Sequence, residues 1–360
     1  MYRDRYDDQG PDPAVDEEDG SGDLLGSDVR TPAIVLGKGV TAIGVMRSLA
    51  RKGIDVFAVA PLGDLATRSR YFKPTTARCG ATFSNQWTRD DYAVLDRVDL
   101  TRAVLIPCSD VTAEWVARMP NSLKSRFYSS CPSIDCINVI QDKRAFAGLC
   151  ANLKSPHPQC FPMEDDADLA KAPIESRSEL FFKPSNSRQF LAKYKCKAMH
   201  IESRDQAQTL WRKFQSHQIR VLIQEFIPGP ADRHFFADGY RDRDGVIRAK
   251  HSRQRLRAFP ADFGNSSYCK QIPDEYIGSA WKTLEDLLAH IDYQGIFSAE
   301  FKYDERDRTY KILEINSRAW VYVEFASWCG FNVCWLSYLD ALNLPLPELT
   351  ANRTHAACVD

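Results

Sequence analysis

The chain has 360 residues, of which 44% are hydrophobic, and its formal net charge is −1. This length and composition allow a large core and more than one domain. Lys and Arg are scattered along the chain, so electrostatics give no reason to expect nucleic acid or an acidic membrane as partner, and a small-molecule substrate is favoured. No apolar run approaches the ~20 residues that span a bilayer, and the N-terminus lacks signal-peptide features, so a cytoplasmic location is expected.

The first 30 residues carry ten acidic and three basic side chains, which predicts a disordered acidic tail that aids solubility. Residues 33–59 predict a βαβ unit, because two apolar strands flank apolar residues at helical spacing. A further buried strand over 103–110 ends in polar residues, where open α/β sheets bind ligands. These elements predict an N-terminal parallel-sheet domain of the Rossmann-like α/β class over residues 31–125.

The pattern changes near Arg126. Helices are predicted over 140–152 and 203–216, and Ser203 with Gln206 three residues later forms a capping signal for the second helix. Strands are predicted around the "FFKP" and "KAMHI" segments between these helices. After residue 220 the pattern predicts more strands, a helix over 274–291, a hairpin and a closing helix. The chain is therefore expected to be a mixed α/β protein.

The hairpin, "GIFSAEFKYDERDRTYKILEINSRAW", carries one glutamate in each strand. If its turn is centred on Asp307, Glu300 lies opposite Glu314 with the Cβ atoms roughly 5 Å apart, where like charges repel. Regular alternation places Glu314 and Asn316 on one face, with Ile312 beneath them. The paired glutamates therefore need a positive group between them.

A magnesium ion meets this need, since Mg²⁺ binds oxygen ligands and usually takes only one or two carboxylates from the protein. Glu300, Glu314 and Asn316 are the predicted ligands. The alternative is that both glutamates lie on a solvent-exposed face of the hairpin and pair with Lys302 or Lys311.

Lysines on the two strands before residue 202 suggest a phosphate site. Lys183 follows an apolar strand, and Lys193, Lys195 and Lys197 lie near the next one. Two ammonium groups on adjacent strands suit a nucleotide phosphate chain, although lysines at strand ends often only extend to solvent. The later strand "VLIQEFI" breaks at Pro228 and Gly229, which exposes backbone groups that could bind a purine edge.

The order of these segments resembles the ATP-grasp superfamily, most closely its carboxylate–amine ligases. The resemblance runs from about Ala33 to Pro347, which is nearly everything outside the N-terminal tail. It rests on the segments "QDKRAF", "FFKP", "QEFIPGPAD", "SAEF" and "LEINSR" in that order. It implies a pre-ATP-grasp domain over 31–125, a small ATP-grasp lobe over 126–220, a large lobe with the metal site over 221–348, and a short tail at 349–360. It also implies ATP and Mg²⁺ as cofactors, with Mn²⁺ as an alternative metal.

The resemblance further implies a role for each matching residue. Lys143, Lys183 and Lys197 match the lysines that contact the ATP phosphates, with Lys195 as the alternative to Lys197. Glu225 and Ile227 match the linker that contacts adenine, and Asp232 matches the acidic ribose contact. Glu300, Glu314 and Asn316 match the metal ligands. Arg318 matches the arginine that faces the transferred phosphate, and Arg255 a basic contact for phosphate or substrate, with Arg253 and Arg257 as weaker candidates.

Two segments differ from the family pattern. Residues 185–194 lack the glycines of the loop that closes over the phosphates in many members, so closure of that loop is not implied. Ser317 replaces the usual proline of the "NPR" motif.

The expected function is ATP-dependent joining of a carboxylate to an amine, amino acids among them, through an acyl phosphate. The alternatives are a nucleotide-binding sensor or assembly subunit without ligase chemistry, and phosphotransfer to a carboxylate without amide formation. The substrates cannot be predicted from the sequence, and a homodimer is as compatible with it as a monomer.

Overall fold

The computed structural model describes residues 31–61, 63–74, 92–96, 98–175, 179–185, 187–260, 264–353 and 356–359, without the side chains of residues 96 and 187–189. The predicted acidic tail at 1–30 lies outside these ranges. No helix in the described part of the chain combines the length and apolarity needed to cross a bilayer. The ten cysteines that these ranges include are all free thiols.

The N-terminal sheet has five parallel strands in the order β3-β2-β1-β4-β5. Its strands are β1 (Ala33–Leu36), β2 (Val56–Val59), β3 (Lys73–Pro74), β4 (Ala103–Pro107) and β5 (Phe127–Tyr128). The helices of this region are α1 (Gly39–Ala50), α2 (Ala93–Asp96), α3 (Asp110–Ala117) and α4 (Asn121–Lys124). The predicted parallel sheet is confirmed, and its strand order changes direction between β1 and β4, where such sheets bind ligands.

A second sheet is antiparallel and has the order β6-β9-β7-β8. Its strands are β6 (Cys160–Pro162), β7 (Leu180–Pro184), β8 (Met199–Ile201) and β9 (Val221–Glu225). The accompanying helices are α5 (Ile134–Gln141), α6 (Lys143–Asn152), α7 (Asp166–Lys171), α8 (Ser187–Tyr194) and α9 (Arg204–Ser216). β9 belongs to this small sheet, whereas the sequence assigned residues from 221 onward to the large lobe.

The helix predicted over 140–152 is instead two helices, α5 and α6, that meet at Asp142. The Asp142 carboxylate accepts hydrogen bonds from the backbone N–H groups of Arg144 (2.9 Å) and Ala145 (3.1 Å) and so caps α6. This cap makes Lys143 the first residue of α6. Ser203 caps α9 as predicted, since its hydroxyl accepts from the Gln206 N–H at 3.2 Å.

The third sheet is antiparallel, with the order β14-β13-β10-β11-β12-β15. Its strands are β10 (His234–Arg241), β11 (Ile247–Phe259), β12 (Asn265–Ile272), β13 (Gly295–Asp304), β14 (Thr309–Asn316) and β15 (Ala357–Val359). The remaining helices are α10 (Gly278–His290), α11 (Val323–Trp328) and α12 (Val333–Ala341). β15 pairs with β12, so part of the predicted C-terminal tail is a strand of this large sheet.

One face of the large sheet forms an apolar core. Phe297, Ala299 and Phe301 of β13 are buried there with Trp281 and Leu284 of α10. Because side chains alternate along a strand, Ser298, Glu300 and Lys302 project from the opposite face. Burial of the apolar set therefore fixes which face of the sheet carries the polar site.

The β13–β14 hairpin has the predicted pairing but not the predicted regularity. Glu300 is the cross-strand partner of Glu314, which confirms the sequence-based pairing. Phe301, however, pairs with Ile312, so Leu313 is an extra residue in a β-bulge. The bulge interrupts the alternation, and Ile312 lies in the same core cluster as Ile315. The expectation that Ile312 lies beneath Glu314 on the same face is therefore wrong.

The position of Phe297 allows a test of this core. Its side chain is fully buried, whereas Phe259 is 79% exposed at the end of β11. We expect Phe297→Ala to lower the free energy of unfolding by about 3–5 kcal/mol, because it leaves a cavity in the core. Phe259→Ala, the matched control, should change it by no more than about 0.5 kcal/mol. Urea denaturation checks both values, and equal effects would contradict the assigned core face.

Candidate functional site

A cavity of about 570 Å³ lies between the small and large sheets, within the size range of small-molecule sites. Its walls come from β7, β9, the segment after β9, β11, β13 and β14. Seven of the eleven residues proposed from the sequence line it: Lys183, Lys197, Glu225, Ile227, Arg255, Glu300 and Glu314. Segments far apart in the chain therefore meet at one site.

The other four proposed residues do not line this cavity. Lys143 is hydrogen-bonded to Glu314 at its edge. Asn316 and Arg318 continue from Glu314 along the chain, and Arg318 Nη2 donates to Asn316 Oδ1 at 3.1 Å. Asp232 lies beside the cavity wall, and among the described residues its buried Oδ1 atom has no hydrogen-bond partner. The predicted ribose contact therefore receives no support from its position.

Basic groups surround both hairpin glutamates. The Lys143 ammonium lies 2.9 Å from Glu314 Oε2. Glu300 Oε1 accepts from Arg255 Nη2 at 3.0 Å and lies 2.8 Å from His234 Nδ1. The Glu300 and Glu314 side chains are only 17% and 31% exposed. Since both line the cavity, the alternative of a solvent-exposed hairpin face is wrong, and Lys311 pairs instead with Asp304 and Asp307.

These neighbours decide the charge state of the glutamates. The Lys143 charge, which outweighs the opposing effect of burial, lowers the pKa of Glu314 from 4.5 to about 2. Burial would raise the pKa of Glu300, but Arg255 and His234 together lower it well below its usual value. Both carboxylates are therefore ionised at neutral pH although they are cross-strand neighbours.

The pKa values of the basic groups are shifted as well. Burial lowers the pKa of Lys183, and the charge of Lys143 lowers it further. Burial also opposes the charged form of Lys143, but Glu314, together with the weaker effects of Asp110 and Glu300, raises its pKa. The pKa of His234 is lowered by burial and only partly restored by Glu300. His234 is therefore neutral at pH 7 and donates its Nδ1–H to Glu300.

The donor set at the hairpin fits a hard divalent cation. Two opposed carboxylates and an amide oxygen are ligands that Mg²⁺ prefers, and a Mg²⁺ site usually uses one or two carboxylates. Asn316 adjoins Glu314 but directs its Nδ2 towards Glu314 Oε1 (3.5 Å) and its Oδ1 towards Arg318 Nη2 (3.1 Å), so its amide would have to turn for Oδ1 to join the two carboxylates. Among the described residues, no group of three or more His, Cys, Asp and Glu side chains is arranged to hold a metal ion.

The segment after β9 forms the apolar end of the cavity. Phe226 packs edge-on against Phe181 at 6.3 Å between ring centroids, and the Lys302 ammonium lies 4.8 Å from the Phe226 ring centre. The Glu225 carboxylate accepts hydrogen bonds from Arg306 Nη2 (2.7 Å) and from the Gln159 N–H (3.0 Å). An adenine contact by this carboxylate would therefore compete with two existing donors, whereas Ile227 lines the cavity directly.

The structure distinguishes between the lysines and arginines that the sequence offers as alternative phosphate or substrate contacts. Lys197 lines the cavity and donates to Asn265 Oδ1 at 2.7 Å, whereas Lys195 does not line it. Arg257 lines the cavity, but Arg253 is buried against Asp238, with Nε 2.6 Å from Oδ2. Arg253 therefore has a structural partner, and Arg255 and Arg257 are the basic groups of β11 that face the cavity.

Sequence reasoning did not assign four polar residues of the cavity to the site: Gln224, His234, Asn265 and Lys302. Lys302 could have been found, since it lies two residues after Glu300 on the same strand and so on the same face. His234 carries no local signal, because it reaches Glu300 only through the pairing of β10 with β13. The segment at 185–194 that lacks glycines contains α8.

The mixed α/β fold is the one that the sequence predicts, and comparisons with known proteins support the resemblance to ATP-grasp ligases. No protein-family model matches the chain. It is 27% identical over 259 residues to the D-aspartate ligase of Enterococcus faecium (strain Aus0004). The matched segment covers 69% of this chain and 61% of that protein. The chain thus spans about three fifths of that relative's length.

Solved structures share the fold over a larger part of the chain. The biotin carboxylase of Campylobacter jejuni, crystallised as a β,γ-ATP complex, superposes with a TM-score of 0.69 at 13% identity, covering 91% of this chain and 75% of that one. An L-amino acid ligase from Bacillus licheniformis gives 0.62 at 13% identity, covering 87% and 74%. At such low identity these likenesses establish the fold alone.

The lowered pKa of Glu314 predicts a pH effect on stability. A depressed carboxyl pKa stabilises the folded state above the ordinary pKa of 4.5, and this contribution is lost as the pH falls towards about 2. We therefore expect Glu314→Gln to lose less unfolding free energy than wild type between pH 6 and pH 3, as measured by urea denaturation. Glu348→Gln is the surface control. Equal losses in wild type and Glu314→Gln would contradict the assignment.

Proposed function

We propose that the protein is an ATP-dependent carboxylate–amine ligase that forms an amide through an acyl phosphate and releases ADP and phosphate. One observation carries the proposal: two ionised, opposed glutamates face a cavity together with Lys183 and Arg255. The resemblance to D-aspartate ligase, and the shared fold of an L-amino acid ligase, support a carboxylate and an amine as substrates, amino acids among them.

Glu300, Glu314 and Asn316 would hold Mg²⁺, with Mn²⁺ as an alternative. When bound, this ion would supply positive charge next to the phosphoryl oxygens of the nucleotide. Lys143 and Lys183 lie beside the same glutamates. Their ammonium groups would bind the phosphate chain next to the ion. Lys197 would bind the phosphates from the segment that precedes β8.

The apolar end of the cavity would hold the nucleoside. Ile227 and the Glu225 segment would contact adenine, with Phe181 and Phe226 bordering the base. Asp232 remains a candidate ribose contact that would require its side chain to turn towards the cavity. The aromatic and apolar lining suits the base, and the lining lysines Lys183 and Lys197 suit the phosphates.

The reaction would proceed by two displacements. An oxygen of the substrate carboxylate attacks the γ-phosphorus and the bond to ADP breaks, which gives the acyl phosphate. The amine nitrogen, after losing a proton, attacks the carbonyl carbon, and the bond to phosphate breaks. Arg318 would bind the reacting carboxylate and the transferred phosphoryl group, and Arg255 would add charge on the cavity side. Positioned charges are the main source of catalysis in phosphoryl transfer, so no protein nucleophile is needed.

Two alternatives predict different products. A nucleotide sensor or assembly subunit would bind MgATP but release no phosphate with any substrate pair. A phosphotransferase would release ADP and accumulate a stable acyl phosphate. Calorimetry with MgATP, phosphate release over a panel of amino acids and amines, and mass spectrometry of the products distinguish these cases. Amide formation supports the ligase, and either of the other outcomes overturns it.

Removal of Glu314 tests the proposed metal site. We expect Glu314→Ala to reduce ATP-dependent phosphate release at least about 100-fold, because charge neutralisation at the phosphates is lost. Glu285→Ala is the control, since Glu285 lies on α10 and binds Lys250 outside the cavity. Phosphate release by Glu314→Ala at a rate near that of wild type would contradict the metal assignment.

Two neighbouring lysines provide a matched test of phosphate binding. Lys197→Met should weaken MgATP binding by roughly ten- to hundredfold, since a charged hydrogen bond contributes about 1.5–3 kcal/mol. Lys195→Met removes the same charge two residues away, outside the cavity, and should change the dissociation constant less than about threefold. Isothermal titration measures both. Similar losses in the two variants would mean that only general electrostatic attraction is at work.

A further inference from the structure

The N-terminal sheet contributes a carboxylate, Asp110, to the surroundings of Arg318. Asp110 is the first residue of α3 and follows β4, at the edge where the strand order of this sheet changes direction. Its Oδ1 atom accepts a hydrogen bond from Arg318 Nε at 3.0 Å. The sequence places the polar end of this strand where open α/β sheets bind ligands, but it gives no specific role to Asp110.

Asp110 is held in place independently of Arg318. Ser109 caps α3 through a reciprocal pair of hydrogen bonds with Thr112, which fixes the start of the helix. The backbone carbonyl of Asp110 accepts from Gln141 Nε2 at 3.1 Å. The carboxylate is therefore presented by a rigid element.

The surroundings of Arg318 also fix its orientation without Asp110. Its Nη2 donates to Asn316 Oδ1 and its Nη1 to the carbonyl of Ala319, both at 3.1 Å. Asn316 in turn adjoins Glu314, the partner of Lys143, so Arg318 connects Asp110 to the phosphate end of the site. The guanidinium group thus connects the hairpin to the N-terminal sheet.

Asp110 differs from the two hairpin glutamates in what it can still bind. Glu300 and Glu314 are largely buried among Lys143, Arg255 and His234. The Asp110 side chain is 48% exposed. Within the part of the chain that the structure describes, its Oδ2 atom accepts no hydrogen bond. Asp110 therefore retains an accessible acceptor beside the arginine at which the acyl phosphate would form.

The proposed reaction requires such an acceptor. An aliphatic amine in neutral water is mostly an ammonium ion, so it enters the site as a cation. The lysines around the hairpin would repel such a cation. The two hairpin glutamates already have basic partners and are therefore poor acceptors for it. A carboxylate beside Arg318 would attract the ammonium group and bring its nitrogen close to the carbonyl carbon.

We propose that Asp110 binds the ammonium group of the amine substrate and thereby selects a cationic amine as the nucleophile. This inference rests on the proposed ligase function. The nitrogen first has to lose a proton, which water accepts, before its lone pair forms the C–N bond. As the bond to phosphate breaks, the nitrogen loses a second proton, which the departing phosphate accepts. Asp110 acts by binding and orienting the amine, and the first displacement, in which the carboxylate attacks ATP, does not involve it.

A purely structural role makes a different prediction. If Asp110 only holds Arg318, its loss will slow acyl phosphate formation and amide formation equally. Hydroxylamine separates the two roles, because it is uncharged at neutral pH and traps acyl phosphates as hydroxamates. It needs the first displacement but no site for an ammonium group.

The experiment uses the full-length chain with saturating MgATP and the carboxylate that gives the fastest phosphate release in the amino acid panel. Wild type, Asp110→Asn and Glu114→Gln are compared with hydroxylamine and with the most active amine of the panel. Glu114 is a suitable control because it lies on the same helix and forms an ion pair with Arg118. Asp110→Ser serves as a second variant, since serine is also accepted at a helix start and lacks the charge.

We expect both Asp110 variants to raise the KM for the amine at least tenfold and to reduce amide formation at least tenfold more than hydroxamate formation. Glu114→Gln should leave the ratio of the two rates unchanged. Equal losses with both nucleophiles, or no loss with either, would overturn the proposal. If wild type gives neither hydroxamate nor phosphate with any carboxylate, the ligase function itself fails, which is a distinct outcome.

Discussion

The site depends on two negative charges held close together across the β13–β14 hairpin. Glu300 and Glu314 are cross-strand neighbours, and both stay ionised because basic groups surround them. Lys143 comes from the start of α6, Arg255 from β11 and His234 from β10. The positions of three separate elements are thus coupled to one hairpin, since a buried carboxylate without a basic partner would be protonated or would destabilise the fold.

The bulge at Leu313 allows the hairpin to place the two glutamates on one face and apolar side chains in the core on the other. The hairpin turn is centred between Arg306 and Asp307, half a residue before the centre assumed from the sequence. A regular hairpin with this turn would pair Glu300 with Leu313. The extra residue restores the pairing of the two glutamates and leaves Ile312 and Ile315 in the core. Sequence reasoning reached the right pair because the bulge compensated for the misplaced turn.

Features that depend on periodicity within one element could be predicted from the sequence. The parallel βαβ opening, the Ser203 cap and the shared face of Glu314 and Asn316 are of this kind. Contacts that depend on how elements pack could not be predicted. Glu225 is an example, since its carboxylate bonds to Arg306, which is distant in sequence and lies in a turn of another sheet. The same applies to Arg253, which looks like Arg255 in sequence but is buried against Asp238.

The location of the cavity follows from the separate cores of the sheets. The small sheet buries residues such as Phe182 and Phe214, and the large sheet buries a different cluster around Phe297 and Trp281. Where the two sheets face each other, the link includes the ion pair between Glu225 and the half-exposed Arg306. Among the residues that the structure describes, none of those buried in these two clusters lines the cavity, so the room between the sheets is separate from both cores. The polar face of β13 can therefore meet a nucleotide-sized ligand without any loss of apolar packing.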